Sequence, residues 1–133
     1  VLYSSMHYPT NYGFLPQTLC DDNDPLDVLV ISHEQIVPMC MVEVTPIAVF
    51  EMIDNGEKDD KIIAVPTNDM RVSHLTNLED LAPHFIREVK NFFEQYKNLE
   101  NKEVHVKEFY NKEKAIKIIE DSIKLYNQEY GSK

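Results

Sequence analysis

The sequence contains few glycines, few cysteines and fewer positive than negative charges. It has only 3 glycines beside 7 prolines, which excludes collagen-like and linker-type sequence. The two cysteines, Cys20 and Cys40, form neither a CxxC pair nor a dense disulfide framework, so we expect reduced thiols in a cytoplasmic protein. No apolar run approaches the roughly 20 residues that span a bilayer, and no membrane partner is expected. These absences indicate a single globular domain over residues 1–133.

The charge balance is strongly acidic. Asp and Glu number 23 against 13 Lys and Arg, which gives a formal net charge of −10. A nucleic-acid binder presents the opposite sign, because phosphate contacts require Lys and Arg, so no nucleic-acid partner is expected. The acidity either maintains solubility or is concentrated where cations bind. Composition leaves both explanations open, and only the positions of the acidic residues can separate them.

The hydrophobic pattern changes its period along the chain. The runs 27–31 and 61–65 are short, apolar and β-branched, and they predict buried strands. The apolar stretch 40–53 is interrupted by Pro46, which predicts an edge, a bulge or a break. Residues 8–20 predict an extended or loop segment. The first half is therefore mostly β-structure.

The second half has helical spacing. Apolar residues recur at helical intervals from Phe85 to Tyr96, residues 104–109 alternate as in a strand, and Asn111 is a suitable N-cap for a second helix. The combination predicts an α+β fold in which the two main helices come late. In the second helix the predicted buried stripe comprises Ala115, Ile116, Ile119, Ile123 and Tyr126.

An acidic hexapeptide, DNDPLD from Asp22 to Asp27, precedes the first predicted strand. Its three carboxylates repel one another unless a cation joins them. Magnesium takes a few carboxylates and keeps several waters, and a metal-bound water can serve as a nucleophile. A solvated acidic turn is the alternative. A calcium loop of the EF-hand type is excluded, because the sixth position is Asp27 rather than Gly and the twelfth is His33 rather than Glu.

Two further features have both a structural and a functional interpretation. Asp54, Asp59, Asp60 and Lys61 form a charged hairpin tip, yet the tip joins two β runs and so could fold beside the hexapeptide. Lys61 would then be a phosphate ligand. The pair Tyr96-Lys97 ends the first helix, where a tyrosine is usually buried and a lysine interacts favourably with the helix dipole. The functional alternative is again phosphate binding.

Together these segments resemble the soluble, magnesium-dependent (family I) inorganic pyrophosphatases. The hexapeptide and Val28 fit that family's D-[small or polar]-D-P-[apolar]-D-[apolar] pattern, and residues 8–14 resemble its YPxNYG stretch. Asp54, Asp59 and Lys61 match its D-x4-D-x-K spacing, and residues 92–97 resemble its FFxxYK. The four motifs occur in the family's order, which makes the resemblance specific.

The resemblance implies a fold, a substrate and an assembly. The fold is a small five-stranded OB-like β-barrel flanked by two main α-helices, with its N-terminal strands missing from this chain. The substrate is pyrophosphate, and family members form homo-oligomers, either dimers or hexamers. The family segment before YPxNYG supplies further glutamates, a lysine and an arginine to the site. We therefore expect this chain to be less active than a version that includes that segment.

The resemblance also implies a role for each site residue. Several Mg²⁺ ions would bind, with Mn²⁺ or other divalent ions as substitutes. Asp22, Asp27 and Asp59 would hold the first ion, Asp27 bridging to a second, and a water between those two ions would attack. A further ion would arrive with substrate on Asp54 and Asp59. The remaining residues would act on water and phosphate: Asp24 as general base, Lys61, Tyr96 and Lys97 on phosphate oxygens, and Tyr12 on the leaving phosphate. Asp60 would have no role.

Two other classes of function remain open. One is a metal-binding relative without catalysis, against which the intact set of aspartates and Lys61 argues. The other is a phosphohydrolase that acts on a larger phosphoanhydride such as a nucleotide. The glycine-rich phosphate loops GxxxxGK[ST] and GxGxxG are absent from the sequence. The five histidines lack metal-ligand spacing, so we interpret them as structural or surface residues.

Overall fold

The computed structural model describes residues 10–20, 24–32, 41–98 and 103–131, without the side chains of 96–98. Six strands and two main helices make up these ranges. In chain order they are β1 (Thr10–Leu15), β2 (Leu26–Ile31), β3 (Val44–Asp54), β4 (Glu57–Lys58), β5 (Lys61–Pro66), α1 (Pro83–Asn98), β6 (Val104–Asn111) and α2 (Lys112–Tyr126). A 3-10 turn (Leu78–Asp80) precedes α1, and a π-helical turn (Asn127–Gly131) follows α2. Within these ranges no helix is long and apolar enough to cross a membrane.

The strands form one mixed sheet. Its order is β1-β2-β5-β3, and both β4 and β6 pair with β3. The β2–β5 pair is parallel and the other pairs are antiparallel. The register of β3 against β5 shifts between Pro46 and Ala48, so the irregularity expected at Pro46 is confirmed as a bulge. The predicted α+β class, with two main helices late in the chain, is confirmed. Among the described strands the pairings follow this open order and do not return to β1.

Each face of the sheet buries a different set of side chains, because successive residues of a strand point to opposite sides. On β2, Leu29 and Ile31 belong to the larger core together with Phe85, Val89 and Phe93 of α1. Leu26, Val28 and Val30 belong to a second core that includes Ala115 of α2. The two helices therefore cover opposite faces of the sheet. We call these the α1 face and the α2 face.

The predicted stripe of α1 is confirmed from Phe85 to Phe93, while the side chain of Tyr96 lies outside what the structure describes. The predicted stripe of α2 is partly wrong. Phe85, Val89 and Phe93 are buried at four-residue intervals, as a helix with one apolar side requires. In α2, however, Ile116 is 43% exposed and Ile123 is 41% exposed. The residues that turn toward the sheet are Ala115, Ile118, Ile119 and Ser122. The apolar residues of this helix, at positions 115, 116, 118, 119, 123, 125 and 126, lie on more than one side of it. Spacing alone therefore left the rotation of the helix open, and packing on the sheet decided it.

Asn111 occupies the predicted N-cap position, but its side chain binds elsewhere. It precedes the first residue of α2 and has extended backbone geometry, yet it makes no side-chain capping hydrogen bond. Its Oδ1 instead accepts a hydrogen bond from the amide of Leu78 at 3.0 Å, and its Nδ2 donates to Glu79 at 2.9 Å. Asn111 therefore ties the start of α2 to the 3-10 turn that leads into α1.

Candidate active site

Three neighbouring strands bring polar side chains together on the α1 face. Asp27 is opposite Lys61 in the parallel β2–β5 pair and opposite Phe14 in the antiparallel β1–β2 pair. Tyr12 lies two residues before Phe14 and so points to the same side. Strand pairing thus places Tyr12, Asp27 and Lys61 side by side, although they are far apart in sequence.

The ammonium group of Lys61 is the centre of this cluster. Its side chain is only 4% exposed. The Nζ atom donates to Asp27 Oδ2 at 2.5 Å, to Tyr12 Oη at 2.9 Å and to Asp59 Oδ2 at 3.0 Å. A lysine has three N–H donors, and these three acceptors match them. The prediction that the hairpin tip folds beside the acidic loop is therefore confirmed for Asp27, Asp59 and Lys61.

Lys61 keeps its charge and Tyr12 keeps its proton at neutral pH. Burial alone would lower the pKa of Lys61, but Tyr12, Asp27 and Asp59 more than offset that effect, and the net shift is upward. Burial raises the pKa of Tyr12 to about 12, although the neighbouring Lys61 ammonium opposes the rise. At neutral pH the site therefore presents a lysine that stays positive and a phenol that keeps its proton.

An aromatic wall from α1 closes one side of the cluster. The Phe93 ring lies 6.0 Å from Lys61 Nζ and 6.3 Å from the Tyr12 ring, and it packs on Phe50 at 5.6 Å. Removing water on this side strengthens the charge interactions of Lys61. Sequence reasoning gave Phe93 no role in the site. Its position three residues before Tyr96, on the same side of a helix, was the available signal.

The acidic loop leads directly into β2. The amide of Cys20 donates to the carbonyl of Asp24 at 2.9 Å. Asp24 is exposed, and Asp27 follows three residues later as the second residue of β2. Asp22 lies outside the described residues, so its predicted role as a metal ligand stays a prediction.

Asp54 ends β3 at the hairpin that leads to Asp59. The turn uses Asn55 at φ 52° and Gly56 at φ 82°, which is the left-handed geometry expected of an Asn-Gly hairpin. The amide of Asp59 donates to the carbonyl of Met52 at 2.8 Å. Asp54 is half-buried and shares a strand face with Met52, two residues earlier. The hairpin therefore connects Asp54, the last residue of β3, to Asp59, which lies between β4 and β5.

Two predicted phosphate ligands lie near the end of α1. Tyr96 and Lys97 belong to the helix, three and four residues beyond Phe93. Their side chains are outside what the structure describes, so their phosphate-binding role stays a prediction.

Asp60 points away from the cluster. It is 8% exposed, and its side chain lies with Leu26 and Ile118 on the α2 face. Its Oδ2 is 3.6 Å from Lys58 Nζ, while its Oδ1 is buried without a hydrogen-bond partner. The adjacent aspartates Asp59 and Asp60 therefore belong to different environments.

The donor set on the α1 face fits a hard cation. Asp27 and Asp59 direct carboxylate oxygens at one positively charged atom, and magnesium prefers such oxygens. Both carboxylates are partly exposed, at 26% and 20% of the side chain, so an ion from solvent can reach them. Over the described ranges no cluster of three or more Asp, Glu, His or Cys residues forms a complete metal site.

Comparison with known proteins identifies relatives of the chain over almost its whole length. The sequence model of the family described as inorganic pyrophosphatase matches residues 1–127. The chain is similar to soluble inorganic pyrophosphatase 2 of Chlamydomonas reinhardtii, with 50% identity over 98% of this chain and 68% of that protein. It is 52% identical to soluble inorganic pyrophosphatase 5 of Arabidopsis thaliana, over 95% of this chain but only 58% of the relative. The chain thus spans about three-fifths of the length of the curated relatives it matches.

Solved structures give the same result. The inorganic pyrophosphatase of Helicobacter pylori superposes with a TM-score of 0.84 at 43% identity, over 96% of this chain and 76% of that one. That of Thermus thermophilus superposes with a TM-score of 0.86 at 35% identity, over 96% and 75%. At 43% and 35% identity, the similarity to these two proteins covers the sequence as well as the fold.

Proposed function

The chain belongs to the inorganic pyrophosphatase family, and we propose that it hydrolyses inorganic pyrophosphate to two orthophosphates. The observation that supports this most directly is the convergence of Asp27, Asp59 and Tyr12 on the buried ammonium of Lys61. Such a cluster combines oxygen ligands for a cation with a fixed positive charge for a phosphate oxygen. An acidic protein that hydrolyses a polyanion needs both, because the carboxylates alone would repel the substrate.

The family implies divalent metal ions, and the donor chemistry of the site fits them. We infer that Asp22, Asp27, Asp54 and Asp59 hold Mg²⁺, which Mn²⁺ or another divalent ion could replace. Bound Mg²⁺ would lower the pKa of a water and neutralise charge on the phosphates. Asp27 and Asp59 support this inference most strongly, since both already form ion pairs with the Lys61 ammonium group.

We infer that Asp24 is the general base. It lies three residues before Asp27 in the segment that leads into β2, which supports a position at the edge of the cluster. Its side chain is exposed, which leaves it within reach of water. An ionised carboxylate at this edge would take the proton of the attacking water.

The phosphate groups would be held by Lys61, Tyr12, Tyr96 and Lys97. All three N–H donors of Lys61 are used in this structure. To bind a phosphate oxygen, Lys61 would have to release one of its three present acceptors. The neutral Tyr12 oxygen is the weakest of the three, because hydrogen bonds to carboxylates are the stronger ones. Tyr12 keeps its proton, since burial raises its pKa to about 12, and it would donate that proton in a hydrogen bond to the leaving phosphate. A cytoplasmic location and a homo-oligomeric state remain predictions from the family resemblance.

Phosphate release from pyrophosphate in millimolar Mg²⁺ tests the proposal. We expect Asp24→Asn to lower kcat by about 100-fold or more, the usual contribution of a general base. Asp69→Asn makes the same chemical change beyond the far end of β5 and should retain the rate. Competition with a nucleoside triphosphate separates a pyrophosphatase from a broader phosphohydrolase. An inactive parent chain, or an unchanged rate in Asp24→Asn, would contradict the proposal.

A further inference from the structure

A pocket lies on the α2 face, behind the strand that bears Asp59 and Lys61. Its volume is about 240 Å³, and it is formed by the segment before β2, the start of β5 and one side of α2. Leu19, Leu26, Ile118 and Leu125 line it with hydrocarbon. Its charged groups are Lys58, Asp60 and Asp121, and Asp121 is paired with Lys117 at 3.0 Å. None of these residues contributes to the cluster around Lys61.

Asp60 is the unusual member of this pocket. It is 8% exposed, and its Oδ1 has no hydrogen-bond partner. Its other oxygen is 3.6 Å from Lys58 Nζ, beyond normal hydrogen-bond length, and the Lys58 side chain is 52% exposed. A buried carboxylate oxygen without a donor is costly, and most such groups in proteins have a partner. Asp60 therefore lacks the donors that its burial requires.

Neighbouring charge makes the need for a cation greater. Phe50 is opposite Lys61, and the amide of Asp59 binds the carbonyl of Met52, so Glu51 lies opposite Asp60 on the α2 face. Glu51 accepts a hydrogen bond from the Tyr110 hydroxyl at 3.1 Å, so it already has a donor, whereas Asp60 has only Lys58 at 3.6 Å. The need for a further donor therefore belongs to Asp60.

The chemistry of the pocket selects the class of ligand. An anion would be repelled by Asp60 and Glu51. An inorganic ion would find too few ligands, since no cluster of three or more Asp, Glu, His or Cys residues occurs in the part of the chain that the structure describes. A neutral ligand would not balance the charge. A cation with a hydrocarbon body would satisfy Asp60 and also cover the leucines and Ile118.

We propose that this pocket binds a small organic ammonium ion, whose N–H groups donate to Asp60 and whose alkyl part packs against Leu26, Ile118 and Leu125. The site is separate from the proposed pyrophosphatase site, because Asp60 lines the pocket on the α2 face whereas Lys61 binds Asp27 and Tyr12 on the α1 face. The inference does not depend on the proposed function.

Titration of the full chain with n-butylammonium, followed by the methyl NMR signals of Ile118 and Leu125, tests the proposal. Excess Mg²⁺ is present throughout, so that the ammonium does not occupy Asp27 and Asp59. We expect saturable shifts in the millimolar range. Asp60→Asn should weaken binding about tenfold or more, because it removes a charged hydrogen bond. n-Butanol, which has the same alkyl chain without the charge, should bind more weakly by a similar factor.

Matched controls decide among the outcomes. Asp69→Asn removes one negative charge beyond the opposite end of β5 and should bind n-butylammonium like the parent chain. Equal affinity of Asp60→Asn and the parent would overturn the proposal, and so would equal affinity for n-butanol and n-butylammonium. Absence of saturable shifts would also overturn it and would indicate that Asp60 is satisfied by water or by its own proton.

Discussion

Replacing Lys61 with methionine should destabilise the chain, and Mg²⁺ should reverse part of the loss. The substitution keeps the length of the side chain but removes the cation between Asp27 and Asp59. Breaking a buried ion pair from one side costs about 3–5 kcal/mol. The Lys61 side chain is 4% exposed, whereas those of Asp27 and Asp59 are 26% and 20% exposed. Because water can partly hydrate these two carboxylates, we expect the lower end, about 3 kcal/mol.

Thermal unfolding followed by circular dichroism measures this effect. For a chain of this length, 1 kcal/mol corresponds to a shift in Tm of about 3–4 °C, so Lys61→Met in EDTA should unfold about 10 °C below the parent chain. Millimolar Mg²⁺ should raise the Tm of the variant more than that of the parent. The reason is that in the variant the ion no longer competes with the Lys61 ammonium for Asp27 and Asp59, as it must in the parent.

Lys58→Met is the matched control for Lys61→Met. Lys58 is 52% exposed and 3.6 Å from Asp60, so losing it should cost less than about 1 kcal/mol. The reasoning about Lys61 would be refuted if Lys61→Met and Lys58→Met had the same Tm in EDTA. It would also be refuted if Mg²⁺ stabilised the parent and the Lys61 variant equally.

Three further substitutions test other parts of the structure. Burial raises the pKa of Tyr12 from 10.0 to about 12, so folding favours the protonated phenol and stability should fall as pH rises from 10 toward 12. Below pH 11 Tyr12 should remain protonated, so the parent and Tyr12→Phe should show the same tyrosinate absorbance at 295 nm. Extra absorbance in the parent equal to one ionised tyrosine would contradict the shift in pKa. Asp60→Asn should raise the free energy of unfolding at pH 7 by on the order of 1 kcal/mol, because it removes a buried charge with an unpaired oxygen. Because the pKa of Asp60 is raised, this gain in urea unfolding should shrink as acid protonates Asp60, and a less stable variant would disprove the assignment. Phe50→Ala should lower the free energy of unfolding by about 3–5 kcal/mol, because Phe50 is fully buried and packs on both Phe93 and Phe109. A loss below about 1 kcal/mol in urea unfolding would contradict that packing.

The sequence predicted the features that depend on local periodicity. Alternation and β-branching placed β2 and β5, the apolar spacing of Phe85, Val89 and Phe93 placed α1, and Pro46 predicted the bulge in β3. These features follow from neighbours a few residues apart, whose side chains share one strand face or one side of a helix. The acidic loop and the resemblance supplied the candidate residues of the site for the same reason, since each motif is a short continuous segment.

Only the tertiary structure decided which of these residues meet and which face they share. A side-chain period of two shows that Asp59 and Asp60 point to opposite sides, but pairing with β2 and β3 determines that Asp59 joins Lys61 while Asp60 enters the pocket. The rotation of α2, which exposes Ile116 and Ile123, was likewise set by packing on the sheet rather than by its spacing. The bonds from Lys61 to Asp27 and to Tyr12 join residues 34 and 49 positions apart. Such contacts depend on strand register across the whole sheet, and the local sequence does not contain that information.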